Sequence, residues 1–148
     1  MSAIIVDICN AVVTKLEGAT FNQEFTVSRG WLELVQRQKM HDTDPISVLV
    51  VPGMLGVYAF DLTPRVAFDW EVGLWIDKSI EANVATIDPV AEFVEQVTQL
   101  FAANRILNAG SRKAKCIQIE ADPVYDEKQL SELRIFRALI KITYRVTQ

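Results

Sequence analysis

From Arg65 to Asp77 the chain reads RVAFDWEVGLWID, and large apolar side chains fall on every second residue: Val66, Phe68, Trp70, Val72, Leu74 and Ile76. Arg65, Asp69, Glu71 and Asp77 lie between them, with Ala67, Gly73 and Trp75. A period of two places the first set on one face of a strand and the second set on the other. Six apolar residues on one face predict a long half-buried strand, about 40 Å end to end at roughly 3.3 Å per residue. A small domain holds such a strand only in the middle of a sheet. Leu133 to Val146 repeats the pattern: Phe136, Ala138, Ile140, Ile142, Tyr144 and Val146 alternate with Arg137, Lys141, Thr143 and Arg145. The polar faces of the two strands carry opposite signs, mostly acidic on the first and basic on the second. Opposite charges facing each other across strands contribute roughly 0.2–1 kcal/mol per pair. The two strands are therefore neighbours within one subunit or meet between subunits.

Shorter elements surround this pair. Ser2 to Leu16 predicts a helix that Ser2 can cap, with Ile5, Ile8, Val12 and Leu16 on one stripe beside Cys9 and with Gly18 as its stop. Glu24 to Leu34 starts as a strand carrying Phe25 and Val27 on one side, and Gly30 marks a kink or an end. Glu33 to Met40 fits a helical turn or a loop, and His41 to Pro45 is a break. Ile46 to Val51 is a short, nearly all-apolar strand. Ile80 to Ala85 reads as linker. Asp88-Pro89 opens a second helix, with Val90, Phe93, Val94, Val97, Leu100 and Phe101 on one stripe. Asn108 to Lys115 reads as a basic turn, Cys116 to Ala121 as a strand, and Pro123 to Glu132 as a polar loop. The order α-β-β-β-α-β-β predicts an α+β fold, a mainly antiparallel sheet with both helices packed on one face.

Composition narrows the class. The 148 residues fit a single domain. Half are hydrophobic and 23% are charged, enough apolar material for a core. A net charge of −4 argues against a nucleic-acid binder, which shows a basic excess or a basic face. No apolar run approaches the roughly 18 residues that span a membrane, and MSAIIVDICNAVV has no positive residue ahead of its apolar stretch. Cys9 and Cys116 match no metal or redox spacing and fit small buried hydrophobes in a reducing cytoplasm.

Catalytic signals are sparse. His41 is the only histidine and no serine or cysteine motif points to it. Asp42 and Asp44 supply too few oxygens for a metal site, and the block ends at a proline. Nucleotide, zinc-protease and hydrolase motifs do not occur. Arg112, Lys113 and Lys115 fit a solvated turn or a phosphate contact. Trp31, Trp70 and Trp75 are candidates for a stacking platform, but Trp70 falls on the core face of its strand and fits packing. Trp75 falls on the other face and needs a cover, from the same chain or from a partner subunit, since aromatics are enriched at interfaces. Pro52 to Pro64 is bounded by prolines, contains Gly53 and Gly56, and is still apolar at Met54, Leu55, Val57, Tyr58, Phe60 and Leu62. A connection of that length is functional or disordered, and this one is too apolar for disorder. It fits an arm, residues 52–64, that projects to meet another protein.

Taken together, these features resemble a known family. An N-terminal amphipathic helix precedes VLVVP and a long alternating strand; an Asp-Pro-led helix follows, then the loop residues Asp122, Pro123, Tyr125 and Asp126, and then FRALIKITYR from Phe136 to Arg145. The pattern is similar to the tail-terminator and tail-completion proteins of long-tailed bacteriophages, the group that includes the minor tail protein U type. The resemblance covers most of the chain and rests on element order, not on a catalytic signature. It implies an α+β virion protein that is not an enzyme and needs no cofactor or metal. Assembled in the host cytoplasm, such a protein forms a homo-oligomeric ring, a hexamer in that family. The ring sits on the end of the tail tube, stops its growth and offers the head-tail connector a docking surface, with DNA passing through and no membrane contact. Subunit or tail-tube contacts then fall on Met54, Leu55, Tyr58 and Phe60 of the arm, on Asp69, Glu71 and Trp75, and on Arg137, Lys141 and Arg145. Two alternatives stay open, a head-side neck or completion protein and a small-molecule-binding α+β domain. The latter needs a concave pocket with converging polar groups.

Overall fold

The computed structural model describes residues 3–31, 44–59, 66–80, 84–121 and 135–147. Helix α1 spans Ile4–Glu17 and buries Ile5, Ile8, Cys9, Val12 and Leu16, the stripe that three- and four-residue spacing produces. Its N-cap is Ala3, which supplies no side-chain hydrogen bond. The expected Ser2 cap is thus displaced by one position, and Ser2 itself lies outside the described residues. The helix ends at Gly18, whose N–H reaches the Thr14 carbonyl at 3.1 Å with an ordinary right-handed φ of −83°.

Strand β1 covers Phe25–Arg29, β2 Ile46–Ala59 and β3 Val66–Ser79. Helix α2 covers Val84–Ala103, and β4 (Ile106–Ala109), β5 (Arg112–Ala121) and β6 (Ile135–Thr147) complete the described chain. The strands form one sheet in the order β1-β2-β3-β6-β5-β4. Every neighbouring pair is antiparallel except β1 and β2 at one edge, which run parallel. The α+β class and the mainly antiparallel sheet therefore stand as the residue pattern anticipates. Both long strands lie at the centre: β3 and β6 pair continuously from Ala67↔Thr147 to Ser79↔Ile135.

Both helices contribute to one buried cluster with the even-numbered residues of β3 and β6. Val72, Leu74, Ile76, Ile140, Ile142 and Tyr144 are fully buried in it. Helix α1 touches β1 and β2 at one side of the sheet and β4 at the other, so the sheet curls around it. Helix α2 lies against β5 and β6. Phe21 meets Phe25 and Phe93 edge-on and those two rings are tilted to each other, with ring centroids 5.3–5.6 Å apart, which joins the α1–β1 connection to α2. Asn22 reinforces this join: its amide donates to the Pro89 carbonyl at 3.0 Å and its backbone N–H to Gln96 Oε1 at 2.9 Å.

Two boundaries differ from expectation. Helix α2 starts a turn before Asp88-Pro89, so Pro89 sits inside it rather than at its first position. Val84, Thr86 and Ile87 are weak helix formers, yet Ile87 packs against the core, and burial outweighs a propensity difference of a few tenths of a kcal/mol. The basic segment Asn108–Lys115 is a β-hairpin, with Ala109↔Arg112 as its last pair and Gly110-Ser111 as the turn. Gly110 has φ +64°, the left-handed value that two-residue hairpin turns require. The uncertain segment Glu33–Met40, the break at His41 and the loop Pro123–Glu132 lie outside the described residues.

Gly110 also lies against α1. A Cβ built there would stand 3.0 Å from Asp7 Oδ2. Gly110→Ala is expected to lower the unfolding free energy by about 1–2 kcal/mol, the usual cost of a left-handed non-glycine residue. Urea denaturation should show a lower midpoint at unchanged slope; an unchanged midpoint would mean that the turn relaxes freely.

Candidate functional site

The face of the sheet turned away from the helices is built by the odd-numbered residues of β3 and β6. Strict alternation puts them there, and the antiparallel register decides which of them meet. Asp77 stands opposite Arg137 and Asp69 opposite Arg145. Both pairs close as two-pronged ion pairs. Arg137 donates from Nε to Asp77 Oδ1 at 2.7 Å and from a terminal nitrogen to Oδ2 at 3.3 Å. Arg145 makes the same contacts with Asp69 at 2.7 and 2.9 Å. The planar guanidinium fork matches a carboxylate in this way, whereas a lysine acts as a point charge. The opposite-sign pattern on the two strands is thus satisfied within one chain at these two rungs.

The pairs differ in burial. Asp77 is fully buried and the Arg137 side chain is 9% exposed, whereas the Arg145 side chain is 37% exposed. The Arg137 guanidinium also lies over the Trp75 ring, 5.3 Å from its centroid. Leu49 and Leu139 flank Trp75 on the adjoining strands. Trp75 therefore receives part of its cover from its own chain. The Leu139 side chain fits over Gly73, where a Cβ would come within 3.3 Å of it. The Glu71 side chain likewise lies against Gly53, and a Cβ there would stand 3.0 Å from its carboxylate. Lys141 sits between Gly73 on β3 and Glu120 on β5.

The arm is a strand. Residues 52–59 extend β2, and β3 pairs with them to Ala59↔Val66, with a register shift between Pro52 and Leu55. Leu55 is 46% exposed. The backbones of Met54 and Tyr58 belong to β2, while their side chains, and Phe60 entirely, lie outside the described residues. On the helix side of the sheet, Leu55, Trp70, Tyr144 and Cys116 form one cross-strand row. Trp70 packs against the core as its position predicts. Among the described residues, its indole N–H and the Tyr144 hydroxyl have no hydrogen-bond partner although both are buried, an arrangement that costs about 1–3 kcal/mol per group. The three tryptophans are not a platform: Trp31 is exposed beyond β1 beneath Arg29, Trp70 faces the helices and Trp75 faces away.

The hairpin corner adds residues that periodicity did not single out as a surface. Ile106, Asn108, Lys113 and Lys115 project from the outer face of β4 and β5, because Leu107 and Ala114 between them are buried. The legible signal was the alternation Lys113-Ala114-Lys115-Cys116 after Gly110-Ser111, on the β5 side alone. Cys9 and Cys116 are buried and free. Burial pushes the Cys9 thiol up to about 11, against a smaller opposing pull from Arg29. Burial raises Cys116 and Tyr144 as well. Burial thus disfavours the thiolate, the nucleophilic form, at both cysteines. Among the described residues, no three His, Cys, Asp or Glu side chains are placed to share a metal ion; His41 and Asp42 lie outside that set. One groove that a small-molecule reading could use, of about 360 Å³, is lined by Gln23, Lys78, Ser79, Thr86, Pro89 and Val90, and there the Lys78 ammonium donates to the Asp44 carbonyl. No family model matches the chain, and no characterised protein matches it in sequence.

The two ion pairs make unequal contributions. Arg137→Met is expected to cost about 3–5 kcal/mol, because it takes the paired guanidinium away from a fully buried carboxylate. Arg145→Met is expected to cost less, about 1–3 kcal/mol, because solvent reaches that guanidinium although Asp69 is itself buried. Equal losses in chemical denaturation would contradict this ranking. The buried thiol predicts a pH effect too. An unfolded Cys9 ionises near 9 and the folded one near 11, so its protonated form favours the fold below pH 9. That stability is lost as pH rises from 9 through 11, by up to about 2–3 kcal/mol at 1.36 kcal/mol per unit. Cys9→Ala should flatten this part of the stability–pH curve after correction for its own baseline cost.

Proposed function

We propose that this chain is a structural virion protein of the tail-terminator type, which assembles as a ring on the end of a phage tail tube, ends tube growth and receives the head. The observation that carries this reading is the architecture of β2, β3 and β6. These three long strands continue as a ladder through the arm, where Leu55 is exposed on an otherwise apolar stretch. The apolar sequence of the arm, with Leu55 exposed in it, suits a protein partner. The outer face carries two guanidinium–carboxylate pairs that tie β3 to β6 across it. A face tied together in this way suits assembly by matching patches. The α+β class and the element order agree with the family resemblance drawn from VLVVP, the long alternating strand and FRALIKITYR.

In this reading Met54, Leu55, Tyr58 and Phe60 meet the tube or a neighbouring subunit. Glu71, Trp75 and Lys141 supply the adjoining outer surface, while Asp69, Arg137 and Arg145 act mainly by holding that surface in shape. The partners are further copies of the chain, the tube protein and the head-side connector.

The test is electron microscopy of lysates from a phage or prophage in which this gene carries an early stop codon. Tails of uncontrolled length are expected. Tails of normal length beside unattached filled heads would instead assign the head-side completion role, and intact infectious particles would refute both. At the protein level, Tyr58→Asp combined with Phe60→Asp is expected to give a folded monomer that no longer assembles. Normal assembly by that variant would remove the arm from the interface. A specific thermal shift with a metabolite, abolished by substitutions lining the Lys78 groove, would favour the small-molecule alternative.

A further inference from the structure

Charge is distributed unevenly over this molecule. Helix α2 carries Asp88, Glu92 and Glu95 and no lysine or arginine. These three acids are exposed, as are Gln99, Ala102 and Ala103, which continue the same stripe at three- and four-residue spacing. From Arg105 to Ile119 the reverse holds: Arg105, Arg112, Lys113 and Lys115 occur with no acidic residue. Lys113 and Lys115 project from the outer face of the β4–β5 hairpin, beside Ile106 at 58% exposure and Ile117 at 37%. Ile117 sits at the register shift between Cys116 and Gln118. An apolar centre with a basic rim is an interface composition, not the all-polar surface that a phosphate backbone selects.

The two surfaces look in opposite directions. Helix α2 packs on the inner face of β5 and β6, and its acidic stripe points away from the sheet. The hairpin lysines and isoleucines lie on the other face. One molecule therefore presents both halves of a complementary pair and cannot join them to each other. We infer that a second copy of this chain joins them: the basic, isoleucine-bearing face of the β4–β5 hairpin of one copy seats on the acidic stripe of α2 of the next. Each such contact leaves one free hairpin and one free helix at the ends. This is a heterologous contact, which grows head to tail and closes into a ring when the rotation permits. The inference rests on the proposed ring function and gives that ring its subunit contact.

Three variants and one mixture, compared with the parent, test it by analytical ultracentrifugation and native mass spectrometry. One variant is Lys113→Glu with Lys115→Glu; another is Glu92→Lys with Glu95→Lys; the third carries all four substitutions. The first has acidic surfaces on both sides and the second basic surfaces on both sides. Each alone is expected to associate at least about tenfold more weakly than the parent, and the parent's own association should weaken with added salt. Mixed one to one, the two double variants are expected to assemble in alternation, and the fourfold variant by itself, because both arrangements restore opposite charges. Circular dichroism checks the fold of each, and Glu92→Gln with Glu95→Gln replaces the lysine variant if that one is unfolded; weakened self-association is then its expected result. A parent that forms rings while both double variants assemble equally well would overturn this contact and leave the ring reading standing. Failure of both the mixture and the fourfold variant to recover assembly would do the same. A parent that stays monomeric at all concentrations and on tube ends would overturn both.

Discussion

The structure depends on the pairing of β3 with β6. Thirteen consecutive residue pairs join them, and the period of two makes this one ladder serve two purposes. Its inner side carries Val72, Leu74, Ile76, Ile140 and Ile142, which are the floor of the core. Its outer side carries both guanidinium–carboxylate pairs. A slip by one residue would drive Asp77 and Arg137 under the helices and put the core residues in water. The charged rungs and the apolar rungs therefore enforce the same register from opposite faces. Everything else is placed relative to this ladder: β2 and β1 on one side, β5 and β4 on the other, and the helices across the inner face.

The ladder was also the most legible feature. Long strict alternation identifies a strand without help from context, and β3 and β6 each offer more than a dozen residues of it. Helix α1 was readable for the same reason at a different period. The shorter elements were not. Strand β4 has four residues, too few to show any period, and its partner's lysines looked like solvated turn residues until Leu107 and Ala114 were seen to be buried between them. The start of α2 was misplaced because Asp-Pro is a strong opening signal, while Val84 to Ile87 reads as extended chain unless the core contact of Ile87 is known. The parallel pairing of β1 with β2 has no local sequence signature.

The candidate surface was legible in kind but not in connection. Opposite charges on two strands predict that they attract; only register says whether Asp77 meets Arg137 in the same chain or in a neighbour. Once Asp69, Arg137 and Arg145 are engaged within the chain, charges elsewhere gain weight, namely those on α2 and the β4–β5 hairpin. Trp75 shows the same limit. Its exposure to the outer face followed from alternation, but the guanidinium stacked on it depends on a residue far away in sequence.

The ion pairs that fix the central ladder join residues 60 and 76 positions apart. Closing such separations is slow relative to closing a helix or a hairpin, because chain entropy is lost before the contacts are gained. While the chain is being synthesised, β3 can pair with β2 but waits for β6, and during that interval one edge of its apolar ladder is open. An edge of this kind recruits strands from other nascent chains. The acidic residues Asp69, Glu71 and Asp77, spaced along the waiting strand, repel identical strands until the arginines arrive. Asp69 and Asp77, the two of these that pair with arginines in the finished fold, would thus oppose premature association before they anchor it.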